Sequence, residues 1–431
     1  MSSARPSRRD LLRGAVATTV VGPYVSASPL VLRRPDGSEM LKIGLIGCGG
    51  RGTGAPVNAL RADPNVKLWA MADAFSDQLE ASLDSLRTSE ETTDLQAKID
   101  VPSERRFVGW DAYKGVIASC DVVLLATSPH FRPLHLAAAV AAGKHAFVEK
   151  PIATDAPGVR SVRASCEAAR QKGLSVVSGL CYRYEHKKRA TLERIHDGAI
   201  GDLLALHTTY NAGGLWHRGR KEDWSEMEYQ MRNWLYFYWL SGDHIAEQHI
   251  HSLDKLAWAM GGYPARCLST GGRAERTGPE YGNVYDHFST VYEWKNGVKG
   301  FSYCRQWAGA VQTEVSDWLV GTRGRCNIQA AEIEAGPGWS WRWQSEEPDD
   351  MYQNELDELF AAIRKGQAID NGEYMCDSTL MAIMGRMSAY SGQAITWEQA
   401  ANAQEDLTPK SYAWGPIEAP PVARPGVTQF S

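Results

Sequence analysis

The fold is decided by residues 41–52, which read LKIGLIGCGGRG. An apolar run breaks into the spacing Gly47-x-Gly49-x-x-Gly52, and a helix is expected to begin at that point. The glycines of such a strand–turn–helix unit permit the tight turn, the close approach of a pyrophosphate and the close packing of helix on strand. Free N–H groups at the start of the helix then face the phosphates. The stretch therefore predicts a dinucleotide-binding unit at the beginning of an α/β sheet.

The acid that completes this motif is Asp73. It follows a second apolar run, residues 66–72, and lies 21 residues beyond Gly52. A carboxylate here accepts hydrogen bonds from the adenosine ribose and repels a 2′-phosphate, so the sequence predicts NAD, with NADP less favoured. Arg51, inside the glycine turn, is the residue that can weaken this preference. The alternative is a turn whose glycines serve packing alone, but strand, helix and acid rarely coincide by chance.

The bulk composition excludes several classes of protein. At 431 residues the chain exceeds one ordinary core, so two domains are expected. Its net charge of −5 gives no electrostatic reason to expect nucleic acid or an anionic membrane as a partner. The eight cysteines include no CxxC pair and indicate neither a disulfide framework nor a zinc ribbon.

The N-terminus differs in kind from the rest of the chain. Residues 7–13, SRRDLLR, resemble a twin-arginine export signal, and a mildly apolar run follows with a candidate cleavage site at residues 25–27. The alternative is a disordered tail with a chance pair of arginines. We predict a signal and linker at residues 1–38, export to the periplasm or cell envelope, and no membrane span in the mature protein.

The remaining sequence divides into two patterns. Residues 40–180 alternate apolar runs with helical stretches, which predicts a Rossmann domain with a doubly wound parallel sheet. Residues 181–431 carry helical segments at 186–198, 243–260 and 351–391, and two alternating runs joined by Asn296-Gly297. Because Asn-Gly favours a hairpin turn, we predict a substrate-binding and oligomerisation α+β domain with an open, mainly antiparallel sheet.

A lysine closes the fifth predicted strand. The segment Glu149-Lys150-Pro151 lies at the carboxyl edge of the sheet, where ligands bind in open α/β folds. There Lys150 can exchange a proton with a substrate hydroxyl beside the nicotinamide position. The alternative is a surface lysine that extends past the end of the strand.

A second group of titratable residues lies on the helix predicted at 243–260. Glu247 and His251 are four residues apart and share a face, an arrangement in which the carboxylate orients the imidazole for general acid/base chemistry. His244 and Asp254 extend that stripe, whereas His249 is expected to face a subunit or sheet contact. A metal site and a merely structural histidine cluster are the alternatives; HExxH spacing is absent, and we expect no metal.

An aromatic insert occupies residues 216–239. Aromatic faces suit sugar rings and arginine suits polar ligand groups, although packing in a core or subunit interface explains the same composition. The candidate substrate residues are Trp216, His217, Arg232 and, from the following helix, His244.

Together these features resemble the glucose–fructose oxidoreductase, inositol dehydrogenase and rhizopine-catabolism (Gfo/Idh/MocA) family over nearly all of residues 40–410. The glycine turn, ATSP at 126–129, AGKH at 142–145, EKP at 149–151 and the helix at 247–254 carry the resemblance. It implies that Lys150 and His251, assisted by Glu247, are catalytic, that Glu149 contacts the nicotinamide ribose and that Arg183 approaches the nicotinamide. The complete predicted cofactor set is Gly47, Gly49, Gly50, Arg51, Gly52, Asp73, Thr127, Pro129, His135, Glu149, Lys150 and Arg183.

Two departures from the family pattern concern the substrate. The helix of that family reads Asp-x-Gly-x-His, whereas Glu247 and His249 replace the acid and the glycine here. The aromatic insert is the other departure. Both lead us to expect an altered way of holding the substrate.

The resulting prediction is an exported, homo-oligomeric, NAD-dependent oxidoreductase that transfers a hydride at a carbinol carbon of a sugar. Because an exported protein leaves the cytoplasm and its pool of free nicotinamide cofactors, we expect it to retain its bound NAD. One alternative is an NAD-dependent glycoside hydrolase or lyase that works by transient oxidation and elimination. The other is a non-enzymatic NAD-holding sensor or assembly protein, against which the intact Lys150, Glu247 and His251 argue.

Overall fold

The first sheet arises from six short apolar segments. The computed structural model describes residues 39–430, and the predicted export signal lies outside them. All six strands are parallel, in the order β3-β2-β1-β4-β5-β6. They are β1 Leu41–Ile46, β2 Val66–Asp73, β3 Arg106–Val108, β4 Val122–Leu125, β5 His145–Val148 and β6 Val176–Ser178. The predicted doubly wound parallel sheet is confirmed.

Five helices accompany this sheet, and their ends follow local chemistry. They are α1 Gly50–Ala62, α2 Ser76–Thr88, α3 Ala112–Ser119, α4 Arg132–Ala141 and α5 Ala156–Gln171. The side chain of Asp155 caps α5 by accepting a hydrogen bond of 2.7 Å from the N–H of Gly158. Gly143, with φ +72°, follows the end of α4, where a left-handed residue is favoured.

The second sheet has nine strands and is mainly antiparallel. Its order is β14-β13-β12-β11-β7-β10-β9-β8-β15, and β7 with β10 is its parallel pair. The strands are β7 Leu203–Ala212, β8 Arg266–Gly272, β9 His287–Glu293, β10 Lys299–Gln306, β11 Glu314–Gly321, β12 Gly324–Asn327, β13 Glu332–Ala335, β14 Trp339–Arg342 and β15 Ile395–Thr396. The predicted hairpin is β9–β10, and its turn residue Gly297 has φ +87°.

Two long helical segments predicted after residue 240 are each divided. The helices are α6 His186–His196, α7 Glu226–Arg232, α8 Tyr238–Ser241, α9 His244–Glu247, α10 Ile250–Met260, α11 Met351–Lys365, α12 Gly372–Ser391 and α13 Trp397–Asn402. The prediction of one continuous helix over 243–260 is wrong, because the chain leaves the helix at Gln248 and His249. The segment 351–391 is interrupted after Gly366, whose φ of +62° ends α11.

The buried helix α12 joins the two sheets. It packs against α5 of the first sheet and against α10 and β8 of the second. All described residues belong to one compact unit, in which the sheets occupy residues 41–178 and 203–396. The domain limits stay a prediction. Between residues 39 and 430, no helix is long and apolar enough to span a membrane.

After α13 the chain crosses the molecule without regular secondary structure. We call residues 403–430 the C-terminal strap. The N–H of Leu407 donates to Asp155, the N–H of Met227 donates to the carbonyl of Gly415, and the hydroxyl of Tyr285 donates to the carbonyl of Ala423. The strap therefore contacts both the first sheet region and the aromatic insert.

Candidate active site

A cavity of about 640 Å³ runs along the carboxyl ends of β1, β2, β4 and β5. The residues that follow these strands lie in its wall, as expected for the ligand crevice of an open α/β sheet. Fourteen predicted site residues line it: Gly47, Gly49, Gly50, Arg51, Gly52, Asp73, Thr127, His135, Glu149, Lys150, Trp216, Arg232, Glu247 and His251.

The glycine turn is shaped as a dinucleotide cradle requires. Gly47 has φ +97°, and a Cβ added there would lie 2.5 Å from the amide nitrogen of Thr127. A Cβ on Gly52 would lie 1.9 Å from the carbonyl oxygen of Gly47, so helix and strand can pack this closely only without a side chain. Gly49 faces open space, with no atom within 4 Å of an added Cβ. These residues fit a pyrophosphate at the start of α1.

Asp73 ends β2 on the side of the cavity where an adenosine ribose is expected. Its carboxylate accepts hydrogen bonds from the N–H groups of Cys48, at 2.7 Å, and Phe75, at 2.9 Å. Burial raises the pKa of Asp73, and these hydrogen bonds act in the opposite direction. The two N–H donors fix the carboxylate beside the glycine turn.

Arg51 is held at the other end of the glycine turn. Its Nε lies 2.7 Å from Glu149 and its Nη2 lies 2.8 Å from Glu355 on α11, while the guanidinium stacks 4.6 Å above the ring of Tyr352. Burial favours the neutral form of Glu149, but the charges of Arg51, Lys150 and Arg132 hold the pKa of this acid below its ordinary value. Burial raises the pKa of Glu355 well above its ordinary range. One guanidinium thus joins two acids, Glu149 with a lowered pKa and Glu355 with a raised one.

Lys150 and Glu247 meet across the cavity. The Nζ atom of Lys150 lies 3.1 Å from Oε1 of Glu247 and 2.5 Å from its carbonyl oxygen. The second carboxylate oxygen of Glu247 is buried without a hydrogen-bond partner in the described part of the chain. The Lys150–Pro151 bond is cis. The two hydrogen bonds fix the Lys150 side chain against the last residue of α9.

His251 lies in the same wall, in the first turn of α10. Its ring packs edge-on against Tyr182, with centroids 5.3 Å apart, and its Nδ1 is buried without a partner among residues 39–430. Burial, together with the charges of Lys150 and Lys255, lowers the pKa of His251 well below its ordinary value. The imidazole is therefore neutral, with its Nδ1 free of other bonds among the described residues.

The other two histidines of this segment lie outside the cavity wall. His249 is fully buried, and its Nε2 lies 2.6 Å from the hydroxyl of Ser302 on β10, so it makes the expected sheet contact. The Nδ1 of His244 lies 3.2 Å from Asp243, and its ring packs against Phe288. Nowhere in residues 39–430 do three potential ligand side chains converge on a metal position.

The aromatic insert closes over the first part of the cavity. Arg232 forms ion pairs with Glu228, at 2.8 Å, and with Asp77 of α2, at 2.9 Å, and stacks 4.0 Å above the ring of Phe75. Trp216 lines the cavity, whereas the Nε2 of His217 contacts the carbonyl of Glu280 outside it. The insert therefore covers the side at which Asp73 lies.

The C-terminal strap adds a second cover at the same place. The ring of Trp414 lies 5.2 Å from that of Phe75 and 4.5 Å from that of Trp110, and both of these residues line the cavity. The hydroxyl of Tyr412 lies 2.8 Å from the Nε2 of His130. Phe75 is thus enclosed between Arg232 and Trp414.

Three groups of residues differ from the sequence prediction. Arg183 is not in the cavity wall: it forms a bidentate ion pair with Asp254, at 2.8 and 2.9 Å, and stacks between Trp258 and Tyr374. Pro129, His217 and His244 also lie outside the wall. The wall contains unpredicted polar residues, among them Gln248, Tyr210 and Arg132. Gln248 was within reach of sequence reasoning, since it directly follows Glu247.

Comparison with known proteins places this geometry in a family. Residues 41–180 match the oxidoreductase family with an NAD-binding Rossmann fold, Gfo/Idh/MocA, and residues 189–327 match a C-terminal domain of that family. The chain is 27% identical to 2,7-anhydro-N-acetylneuraminate hydratase of Escherichia coli, over 49% of this chain and 52% of the relative. It is 28% identical to a glycosyl hydrolase family 109 protein of Streptomyces coelicolor, over 59% of this chain and 54% of the relative. The chain thus spans about half the length of these curated relatives.

A solved structure supports the fold. Scyllo-inositol dehydrogenase of Lactobacillus casei, with bound NAD(H) and scyllo-inositol, superposes with a TM-score of 0.61 at 17% identity. The superposition covers 84% of this chain and all of the dehydrogenase chain.

Proposed function

Because the chain belongs to the Gfo/Idh/MocA oxidoreductase family, we propose that it is an NAD-dependent oxidoreductase acting on a sugar or sugar derivative. The observation that carries the proposal is one cavity that holds both a dinucleotide cradle and a proton-transfer group. Lys150, Glu247 and His251 line it together with the glycine turn. A binding protein has no need of such a group.

The side chains divide the work as follows. When bound, the nicotinamide supplies hydride transfer at a carbinol carbon of the sugar. His251 is neutral and takes up the hydroxyl proton, while the ammonium of Lys150 donates a hydrogen bond to the substrate oxygen. Glu247 holds the Nζ of Lys150 in place at 3.1 Å. Glu149, fixed by Arg51, receives the nicotinamide ribose.

Two placements support NAD over NADP. Asp73 presents its carboxylate beside the glycine turn, where a 2′-phosphate would meet like charge. Arg51, the residue that can soften this repulsion, is engaged by Glu149 and Glu355. Its charge is therefore directed to the opposite end of the cavity.

Enclosure of the cavity supports a retained cofactor. The Arg232–Asp77 ion pair and the Phe75–Trp414 contact lie over the side of the cavity where the adenosine ribose is expected. Retention agrees with the proposed export of the protein, since an exported enzyme has no cytoplasmic nicotinamide pool. We also propose a homo-oligomer, because Leu204, Leu268 and Val320 on the second sheet are exposed apolar residues.

A second function is favoured by the names of the relatives. A hydratase and a glycosyl hydrolase family 109 protein are both similar to this chain, which suits transient oxidation followed by elimination or cleavage. A retained cofactor serves that cycle as well as it serves a dehydrogenase. The two functions differ in their products: a dehydrogenase changes its sugar by two hydrogens, whereas a hydrolase or lyase releases a product with no net change at 340 nm.

The deciding experiment is an incubation of the purified NAD-loaded protein with a panel of sugars, aldonates and glycosides. Mass spectrometry reads two-hydrogen changes and bond cleavage separately, and absorbance at 340 nm reads NADH. We expect a two-hydrogen change with at least one sugar. Cleavage without such a change would establish the second function, and the absence of both would refute the proposal.

A further inference from the structure

A buried arginine in the cavity wall has no role in the chemistry described so far. Arg132 is the first residue of α4, and only 5% of its surface is exposed. It makes one hydrogen bond, from Nη1 to the carbonyl oxygen of Pro151 at 2.5 Å. Its Nε is buried without a partner, and Arg132 forms no ion pair with any residue between 39 and 430. Since a guanidinium offers five N–H donors, most of its capacity is unused.

Burial of a charge in this state is costly, because a buried ion needs a counter-ion or a full set of hydrogen bonds. Burial lowers the pKa of Arg132 to about 10, so the group remains charged at neutral pH. The carboxylates of Glu149 and Glu247 lie nearby, but each is already bonded to another cation, Arg51 and Lys150 respectively. Among the described residues, no carboxylate is therefore bonded to the guanidinium of Arg132 itself.

The position of Arg132 indicates which ligand supplies the missing negative charge. Pro151, its hydrogen-bond partner, directly follows Lys150, and the acids that act on its charge are Glu149 and Glu247. These residues surround the proposed reaction centre. The glycine turn, which fits the pyrophosphate of a dinucleotide, lies at the start of α1. The guanidinium thus lies near the part of the cavity that receives the sugar.

We propose that Arg132 binds a carboxylate group of the substrate, so that the sugar is an acidic one such as a uronate, an aldonate or a sugar with a carboxylate substituent. The planar fork of a guanidinium matches a carboxylate in two parallel hydrogen bonds. The inference rests on the proposed function and narrows its substrate class.

The test compares matched acidic and neutral sugars on the full chain loaded with NAD. The probes are D-glucuronate with D-glucose, D-galacturonate with D-galactose, and N-acetylneuraminate with its methyl ester, each titrated by calorimetry. We expect at least one acid to bind roughly 10- to 100-fold more tightly than its neutral partner, as a charge-assisted hydrogen bond predicts. Arg132→Met should remove this difference, and Arg132→Lys should keep part of it. Arg160→Met is the matched control, because Arg160 also donates to main-chain carbonyls but lies outside the cavity wall.

Each outcome decides the inference. Equal binding of every acid and its neutral partner by the wild-type protein overturns it, whether or not Arg132→Met folds. Loss of NAD affinity in Arg132→Met, with the acid preference unchanged, would assign the residue to the pyrophosphate and also overturn it. An acid preference that depends on Arg132, without a two-hydrogen change or cleavage, would support the inference and refute the proposed function. Oxidation of neutral sugars by wild type and Arg132→Met alike would support the function and refute the inference.

Discussion

Lys150 is the side chain on which the proposed chemistry most directly depends. Its Nζ is held by Glu247 and does not contact the glycine turn. We expect Lys150→Ala to lower turnover by about 10²–10⁴-fold, as for other general acid/base groups, and to leave NAD affinity and the melting temperature nearly unchanged. Lys114→Ala is the control, because this exposed lysine pairs with Asp111 and lies outside the cavity wall. Near-normal turnover of Lys150→Ala would transfer the proton-transfer role to His251 alone.

The histidines at 249 and 251 form a matched pair with different expected effects. His251 lines the cavity, so His251→Ala should reduce turnover with little loss of stability. His249 is fully buried and bonded to Ser302, so His249→Ala should mainly destabilise, by about 1–3 kcal/mol, through the unpaired partner. Glu247→Gln should weaken turnover and shift its pH profile. Turnover and the free energy of unfolding in urea are measured for the three variants. If His249→Ala lost turnover and His251→Ala lost stability instead, the roles of the two histidines would have to be exchanged.

The cofactor preference depends on one carboxylate. We expect Asp73→Ser to narrow the gap in affinity between NAD and NADP, because serine keeps a polar group and removes the charge that repels a 2′-phosphate. Titration of apo-protein with both cofactors, followed by tryptophan fluorescence, gives the two affinities. Equal affinities in the wild-type protein would show that Asp73 does not face the ribose.

At the scale of single elements, sequence reasoning succeeded where periodicity is local. Strands β1, β2, β4 and β5 are mainly apolar runs, and Gly143 and the capping acid Asp155 mark ends of the helices α4 and α5. Sequence reasoning failed at the segment 243–260, because residues spaced four apart can face the same side even when the helix between them is interrupted. Glu247 and His251 both line the cavity, but they belong to two different helices. Sequence reasoning could not predict the position of Arg183, because its ion-pair partner Asp254 lies 71 residues further along the chain.

The C-terminal strap is an element whose role no sequence pattern indicated. The ring of Trp414 lies against Phe75 and Trp110, so we expect Trp414→Ala to speed NAD release from the purified protein at least several-fold. Trp339→Ala, on a similarly exposed tryptophan of the second sheet, should leave the release rate unchanged. The rate of NAD release is measured by stopped-flow fluorescence, after the protein is mixed with an excess of a cofactor-free protein that captures the released NAD. An unchanged rate in Trp414→Ala would remove the strap from the account of retention.

For the whole molecule, three buried histidines and the half-buried His145 make stability depend on pH. Burial lowers the pKa of His130 and His145 to about 4 and that of His135 and His249 to about 3. In the unfolded chain the same groups titrate near about 6.5. Because the folded values are depressed, the unfolded state takes up protons first as the pH falls below about 6.5, while the folded state does not until about pH 4. Their contribution to stability is therefore complete above about pH 6.5. It is lost as the pH falls to about 4 for His130 and His145 and to about 3 for His135 and His249.

The size of this effect decides the expected result. In the pH range where such a histidine is charged only in the unfolded chain, it lowers the free energy of unfolding by about 1.4 kcal/mol for each pH unit of acidification. Four such groups together can therefore cancel a typical stability of about 5–15 kcal/mol within a few pH units. Acids whose pKa is raised by burial, such as Glu355 and Glu405, act in the opposite direction. We expect the free energy of unfolding in urea to fall steeply below pH 6 and the protein to unfold above pH 4.

A variant at His145 tests this expectation. His145→Asn keeps an acceptor for the N–H of Ser175 but does not titrate. The slope of its free energy of unfolding against pH should therefore be about 1.4 kcal/mol per unit smaller than that of the wild-type protein. The exposed His186→Asn should keep the wild-type slope. A free energy that stays constant from pH 7 to pH 4.5 would show that these imidazoles are not neutral by burial.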